Sequence, residues 1–307
     1  MATNTTLTGR RALVTGAAGF IGSALCRRLA SLGVEVYGVS RSARNAENYI
    51  ARWWQCDLED FEAVRSLVRK SKPQLIFHLA SNSAGSRAPE LVVPIFHSNL
   101  HTTVNLLSAA NEVGCQRIFL TGSMEEPDPG MEWPIPSSPY AAAKFAAGTY
   151  GRMFHALYDM PVVLLRVFMV YGPNQRETYK LIPYVILSLL KGESPKLSSG
   201  DRAVDWIYID DVVEGFIAAT IAPGVEGQTI DIGTGRLDSV RTVVEHLYDL
   251  LQPGKQPPFG STVDRPLEQV RAANAEDSFS KTKWRAKMDL REGLRRTVEW
   301  YREHIPR

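Results

Sequence analysis

The sequence predicts an α/β protein, a doubly wound and mostly parallel sheet followed by a smaller C-terminal α/β lobe. Three observations predict it. Short apolar runs alternate with amphipathic stretches through the first half, the pattern of strand-helix-strand units. The first apolar run ends in glycines three residues apart, Gly16, Gly19 and Gly22, where a strand turns into a helix. At 307 residues the chain is longer than one ordinary core, which leaves room for a second lobe.

The apolar runs place strands at Arg11–Thr15, Val34–Val39, Gln74–Leu79, Arg117–Thr121 and Val162–Phe168. Helical spacing fits Phe20–Leu32, Phe61–Arg69, Leu91–Val113 and Tyr140–Tyr158. Gly33 and Gly114 follow the first and third helix, where left-handed turns end helices, and Pro73 stands just beyond the second. After Tyr171-Gly172-Pro173 the pattern loosens. A helix is expected over Leu181–Lys191, then a turn-rich stretch from Gly192 to Gly200, then a helix capped by Asp210-Asp211. A strand over Gln228–Ile232, a helix over Ser239–Leu251, a loop from Pro253 to Gly260 and an amphipathic helix from Leu290 to His304 complete the chain. Residues 8–172 form the first lobe, with returns to its sheet near 205–235, and residues 173–307 mainly the second, discontinuous one.

Composition narrows the function classes. Hydrophobic residues make up 44% and charged ones 22%, as in a soluble globular protein. A net charge of +2 with scattered basic pairs argues against nucleic acid as a partner. No apolar stretch approaches the roughly 20 residues of a membrane span, and Met1–Thr8 has no signal-peptide character. Cys26, Cys56 and Cys115 are an odd set without paired spacing, so neither a disulfide framework nor a metal site is expected. The expected compartment is the cytoplasm.

In Gly16-Ala17-Ala18-Gly19-Phe20-Ile21-Gly22 the glycines let backbone N–H groups approach a pyrophosphate, and the helix N-terminus adds positive potential. Alone, such a trio also fits a simple tight turn. On this strand-to-helix junction it suggests the dinucleotide site of a Rossmann domain. One strand later Val39 is followed by Ser40 and Arg41, with Arg44 beyond, where an acidic residue would hold the ribose 2′-hydroxyl of NAD. A guanidinium suits a 2′-phosphate, so NADP is the expected cofactor and NAD the alternative. Asp57, next to Leu58, either accepts a hydrogen bond from the adenine amino group or caps the following helix.

Tyr140 and Lys144 are four apart and share a helix face. A phenol with a reference pKa near 10 is a poor acid or base at neutral pH. An adjacent ammonium and a cationic nicotinamide favour its phenolate. Ser123, just past the strand Arg117–Thr121, supplies a hydroxyl to a substrate oxygen from the side opposite the tyrosine. A tyrosine–lysine pair alone is commonly a surface pair. The order and placement of all three residues make it a catalytic constellation.

With these residues in view, the chain resembles the extended short-chain dehydrogenase/reductases, in particular the NAD-dependent epimerase/dehydratase branch that modifies nucleotide sugars. The resemblance rests on Thr15–Gly22, Phe77-His78-Leu79-Ala80, Asn99 with the helix after it, Ser138–Lys144, Asp205–Asp211, Arg265-Pro266 and Glu299-Trp300-Tyr301. It implies Ser123, Tyr140 and Lys144 as catalytic. It implies Leu79, Ala80, Ser81 and Asn99 beside the cofactor, and Arg265 on the substrate's diphosphate. Met169 replaces an asparagine common before Val-Tyr-Gly-Pro, and Val204 an arginine before the Asp205-Trp206 pair, for which Arg202 is the substitute. A homodimer through the two long helices is implied as well, using Leu100, Val104, Leu107, Phe145, Tyr150 and Phe154, which equally fit burial within one chain. Gly122-Ser123-Met124-Glu125-Glu126, together with Ser40-Arg41, resembles the 4-keto-sugar reductases most, so the expected activity is an NADP-dependent ketoreductase. The alternatives are a 4-epimerase and a 4,6-dehydratase, in which Glu125 removes a proton beside the ketone. A chain that only binds the dinucleotide is the remaining reading, and the intact Ser123, Tyr140 and Lys144 argue against it.

Overall fold

A computed structural model describes residues 7–128 and 130–304; of the polar N-terminal stretch, Met1–Thr6 lies outside the described residues. The first lobe runs β1 (Arg11–Thr15), α1 (Phe20–Ser31), β2 (Glu35–Ser40), β3 (Arg52–Gln55), α2 (Phe61–Ser71), β4 (Leu75–His78), α3 (Val92–Ile95), α4 (Thr102–Val113), β5 (Arg117–Ser123), α5 (Pro139–Tyr158) and β6 (Val162–Val167). There follow β7 (Met169–Tyr171), α6 (Leu181–Leu190), β8 (Ala203–Val204), β9 (Trp206–Tyr208), α7 (Ile209–Ile221), β10 (Thr229–Ile232), β11 (Asp238–Ser239), α8 (Val240–Leu251), α9 (Ala275–Thr282) and α10 (Leu290–His304).

The main sheet has seven strands in the order β3-β2-β1-β4-β5-β6-β10, every pair parallel. The chain therefore reverses its winding between β1 and β4. In open parallel sheets a ligand crevice forms at that point, outside the carboxyl ends of the strands. Side chains alternate across each strand. Ala12, Val14, Leu75, Phe77 and Phe119 enter the core shared with α1, α6, α7 and α8, while Leu13, Ile76, Ile118 and Leu120 enter the core under α2 and α4. The Phe77 and Phe119 rings stack 4.7 Å apart on the first face. Thr15 and His78 end their strands on the second face, pointing toward α4. At the far edge β10 brings the chain back to the sheet beside β6, and α7 packs against α1.

Several elements depart from the sequence reading. β3 was not expected; Trp53 and Trp54 pair with Gly38 and Val39, and Trp53 covers the face that Gly38 leaves open. The helix expected over Leu91–Val113 is broken into a 3₁₀ turn at Pro89–Leu91, α3, a π turn at Phe96–His101, and α4. Pro94 removes one helix donor, and the Thr102 and Thr103 hydroxyls take the carbonyls of Ser98 and Asn99 at 2.8 and 2.6 Å. Asp210 and Asp211 sit in the first turn of α7 and do not cap it. Asp211 instead accepts the N–H groups of Lys287 and Met288. Helix α9, capped by Asn274, lies where no helix was expected. Cys26 and Cys56 are buried and Cys115 half-buried, and burial pushes their thiols up, to about 11 for Cys56. No helix among the described residues is long and apolar enough to cross a membrane.

Candidate functional site

The glycine turn after β1 faces the segment after β4 across the winding reversal. Gly16 has φ +68°, and a Cβ there would lie 2.7 Å from the Ala80 nitrogen. A Cβ on Gly22 would lie 2.1 Å from the Gly16 carbonyl oxygen. Both positions admit only glycine, one for the approach to β4 and one for the approach of helix to turn. Gly19 caps α1 without a side chain, and the first turn of α1 carries no acidic residue, so its N–H groups stay open to an anion. Phe20 and Ile21 contribute that backbone while their side chains pack on the core.

Gly16 and Gly19 form one wall of a cleft of about 730 Å³. Ser40 and Arg41 from the end of β2, Asp57 and Leu58 after β3, and Ala80 and Ser81 after β4 line the rest. The hydroxyl of Ser81 is buried without a hydrogen-bond partner among the described residues, so a polar ligand group is needed to satisfy it. Arg44 donates to the Ser40 hydroxyl at 3.2 Å, and the Arg41 side chain is exposed beside it. Asp57 does not cap α2. Asp60 does, accepting from Ala63 N–H at 3.1 Å, while one Asp57 oxygen takes the Glu59 N–H at 3.0 Å. A dinucleotide fits this wall: an anion-ready helix start, a backbone cradle that a Cβ would fill, and an unsatisfied hydroxyl.

Sequence reasoning missed the hydrogen-bond chain that holds the wall. His78 is buried, with Nδ1 2.8 Å from the Thr15 hydroxyl and Nε2 3.0 Å from the Thr103 hydroxyl. Thr103 spends its proton on the Asn99 carbonyl, so it accepts from His78, which makes Nε2 the protonated nitrogen. Nδ1 then accepts from Thr15, whose oxygen receives the Ala80 N–H at 3.1 Å. Burial, with Lys144 nearby, drives the His78 pKa down to about 3. Asn99 is buried and clamps Asn82, accepting its N–H at 2.7 Å and donating to its carbonyl at 3.0 Å. The sequence signals for these bonds were the Thr15–Gly22 turn, the Phe77-His78-Leu79-Ala80 motif and Asn99, which named Thr15, His78, Ala80 and Asn99 but not their connection.

Ser123 ends β5, and Tyr140 and Lys144 rise from the start of α5, where Ser138 caps the helix on Ala141 N–H and Pro139 occupies the first turn. Lys144 is buried and donates to the Thr121 carbonyl at 2.9 Å and hydroxyl at 3.2 Å. Its nitrogen lies 5.9 Å from the centre of the Tyr140 ring. Burial lowers Lys144 to about 8, opposed by Glu126. Burial pushes the Tyr140 phenol up to about 12 against a lowering by its hydrogen bond to Ser123, with Glu126, Glu125 and Tyr179 raising it further. Desolvation thus outweighs the Ser123 hydrogen bond and leaves the phenol above its ordinary range in the protein alone, and additional positive charge in the cleft is required to lower it.

The paired glutamates diverge. Glu126, which the sequence reading did not select, turns back under the strand and accepts the Ser123 N–H at 2.6 Å; burial raises its pKa. Glu125 points instead to the segment before β8 and accepts from Arg202 at 2.7 Å. Arg202 also reaches Glu268 at 3.4 Å and the Gln269 carbonyl, so it is held from three sides. Met124, between Ser123 and Glu125, is buried. Arg265 is exposed near Gly85, and Lys180 donates to the Ser83 carbonyl at 2.7 Å; burial lowers its pKa, with Glu125 and Arg265 in its field. Asp205 stays out of the site. It is fully buried and accepts four hydrogen bonds, from Thr234 N–H and hydroxyl, Gly235 N–H and Ala273 N–H.

Residues 12–233 match the NAD dependent epimerase/dehydratase family. The UDP-glucose 4-epimerase of Mycolicibacterium smegmatis is 31% identical, over 95% of this chain and 98% of that protein. The dTDP-D-glucose 4,6-dehydratase of Homo sapiens is 27% identical, over 96% and 91%. Among solved structures, the UDP-glucose 4-epimerase of Thermus thermophilus in complex with NAD superposes with a TM-score of 0.83 at 28% identity, covering 96% of this chain and all (100%) of that one.

Proposed function

The chain belongs to the NAD-dependent epimerase/dehydratase family of extended short-chain dehydrogenase/reductases, and from that premise we propose that it is a redox-neutral nucleotide-sugar 4-epimerase. The observation that carries the reading is the split of the two glutamates. Dehydration beside a 4-ketone needs a free carboxylate to take a carbon-bound proton. Glu125 is held by the Arg202 guanidinium at 2.7 Å and Glu126 is spent on the Ser123 N–H, so neither carboxylate is left free to face a substrate carbon. Epimerisation needs neither. It needs a group that takes the proton of the 4-hydroxyl and gives it back, and Tyr140 beside Ser123 is placed to do both.

A dinucleotide held by the Gly16–Gly22 turn, Ser40, Arg41 and Ser81 would supply reversible hydride exchange at C4 of the sugar. Tyr140 takes the hydroxyl proton as that hydride leaves and restores it on return. Ser123 hydrogen-bonds the same oxygen. Lys144, held by Thr121 and protonated at neutral pH, stabilises the phenolate that forms. Arg265 and Lys180 supply positive charge for the diphosphate of the substrate. Net ketone reduction, the activity that Gly122-Ser123 and Ser40-Arg41 suggested, is set aside because the epimerases and the dehydratases similar to this chain support a cofactor that is not consumed.

NADP remains our proposed cofactor, because Arg41 and Arg44 flank Ser40 at the end of β2 and no carboxylate stands there. A cytoplasmic homodimer is also proposed. Leu100, Val104 and Phe145 are half-buried and Tyr150 is exposed, whereas Leu107 and Phe154 are buried within the single chain and drop out of the expected interface. The test supplies UDP- and dTDP-hexoses and follows sugar composition and cofactor absorbance together. Interconversion of 4-epimers without net cofactor change is the expected result. Stoichiometric NADPH oxidation on a 4-keto sugar nucleotide, or loss of water from the sugar, would refute it.

A further inference from the structure

Glu59 and His97, which line the cleft, and His101 beside them each offer a ligand atom, and the three atoms lie within 4.8 Å of one another. We propose that these residues bind one divalent transition-metal ion, zinc in character, with the remaining positions filled by water. His97 and His101 belong to the π turn and lie four residues apart, their ring centres 5.5 Å from each other. Nδ1 of each ring is buried without a hydrogen-bond partner among the described residues. An imidazole nitrogen excluded from water and left unbonded is unfavourable, and a metal ion satisfies it.

The spacing is close to what such an ion requires. Ligands about 2.1 Å from a tetrahedral centre lie about 3.4 Å from one another. Glu59 Oε2 and His97 Nδ1 are 3.6 Å apart, too far for a hydrogen bond and near the ligand separation. The remaining gaps, up to 4.8 Å, are closed by side-chain rotation of the exposed Glu59 and of the two imidazoles. Its backbone is already fixed, since Asn105 of α4 donates to the Leu58 carbonyl at 3.0 Å and the Glu59 carbonyl at 3.1 Å. The ligand-bearing loop and the helix are therefore held in place before any ion arrives. Two imidazoles and one carboxylate suit zinc, cobalt or nickel rather than calcium or magnesium. The ion would tie the loop after β3 to the π turn, two segments that both line the cleft.

The test uses the full chain without a polyhistidine tag, stripped by a chelator and titrated with Co²⁺ and then Zn²⁺. One Co²⁺ per chain with the intense visible absorption of a low-coordinate site, displaced by Zn²⁺, is expected. Loss of an outer-shell partner typically weakens a metal site 10- to 100-fold, so His101→Gln and Glu59→Gln, each losing a direct ligand, should raise the Kd by roughly 100-fold or more. Circular dichroism and the unfolding midpoint without metal establish that each variant folds. Binding should weaken as the pH falls, because the ligands bind deprotonated. Only the weak spectrum of aqueous Co²⁺, or stoichiometric binding undiminished in both variants, overturns the proposal. So does binding that is lost on Cys56→Ser, since Cys56 also lines the cleft and would then be the true ligand.

Discussion

His78 offers a direct test of the hydrogen-bond chain at the winding reversal. The arrangement requires a neutral imidazole protonated on Nε2, with a pKa lowered to about 3 by burial and by Lys144. An unfolded histidine titrates near 6.5. Between these values the unfolded chain binds a proton that the folded chain does not. Stability therefore rises with pH through this window and is lost as the pH falls from about 6.5 toward 3. The slope approaches about 1.4 kcal/mol per pH unit below 6.5, so lowering the pH from 7 to 5 removes about 2 kcal/mol through this one residue. Urea unfolding at pH 7, 6 and 5 should show that loss in the parent protein. His78→Gln, although less stable at pH 7, should lack this part of the pH dependence. Long-range ¹H–¹⁵N correlation on histidine-labelled protein should show one ring protonated only at Nε2 and unchanged down to pH 5. Parallel stability profiles for the two proteins, or a ring that titrates near 6.5, would refute the proton assignment.

Three substitutions probe the remaining parts of the site. Tyr140→Phe should lower kcat by roughly 10²–10⁴, the loss expected for a general acid–base group, with a smaller effect on KM. Arg41→Asp should reverse the order of NADP(H) and NAD(H) affinities measured by fluorescence titration, because a carboxylate repels a 2′-phosphate and accepts from a free 2′-hydroxyl. Equal binding of both cofactors by the parent protein would remove its basis. Gly22→Ala places a methyl group 2.1 Å from the Gly16 carbonyl oxygen, so the turn must move. A stability loss of about 1–3 kcal/mol and at least tenfold weaker cofactor binding are expected, and calorimetry checks both.

The strands and helices of the first lobe were legible because their side-chain periods are strong and glycine or proline marks their ends. β3 was not, since Arg52–Gln55 is four residues long and its tryptophans show no alternation. The π turn was hidden because Leu91–Val113 keeps a helical hydrophobic pattern throughout. What distorts it is hydrogen bonding by the Thr102 and Thr103 hydroxyls to carbonyls four residues back, and by Asn99 to Asn82, whose position depends on the rest of the fold. The same limit applies to Glu125 and Glu126. Adjacent identical residues look interchangeable, and only the turn after β5 decides that one reaches Arg202 and the other the Ser123 backbone. Arg202 was singled out for substrate, but three partners within the chain already hold it.

The donors and acceptors around β4 explain why the wall of the cleft and Lys144 belong to one unit. The direction of each hydrogen bond is forced by the next: Ala80 N–H to Thr15, Thr15 to Nδ1 of His78, Nε2–H to Thr103, and Thr103 to the Asn99 carbonyl. No member of the chain can reverse without leaving a buried donor or acceptor unpaired, at a cost of about 1–3 kcal/mol for each such group. The His78 carbonyl meanwhile accepts from the Thr121 hydroxyl, and Lys144 donates to both oxygens of Thr121. Asn99, at the far end, fixes Asn82 on the wall of the cleft. A shift of the wall therefore pulls on β4, and through β4 on the residue that sets the height of Lys144 above Tyr140. The π turn is what makes this closure work, because it carries Asn99 and ends where Thr102 and Thr103 begin α4. Straightening that turn into regular helix should disturb cofactor affinity and the acidity of Tyr140 together.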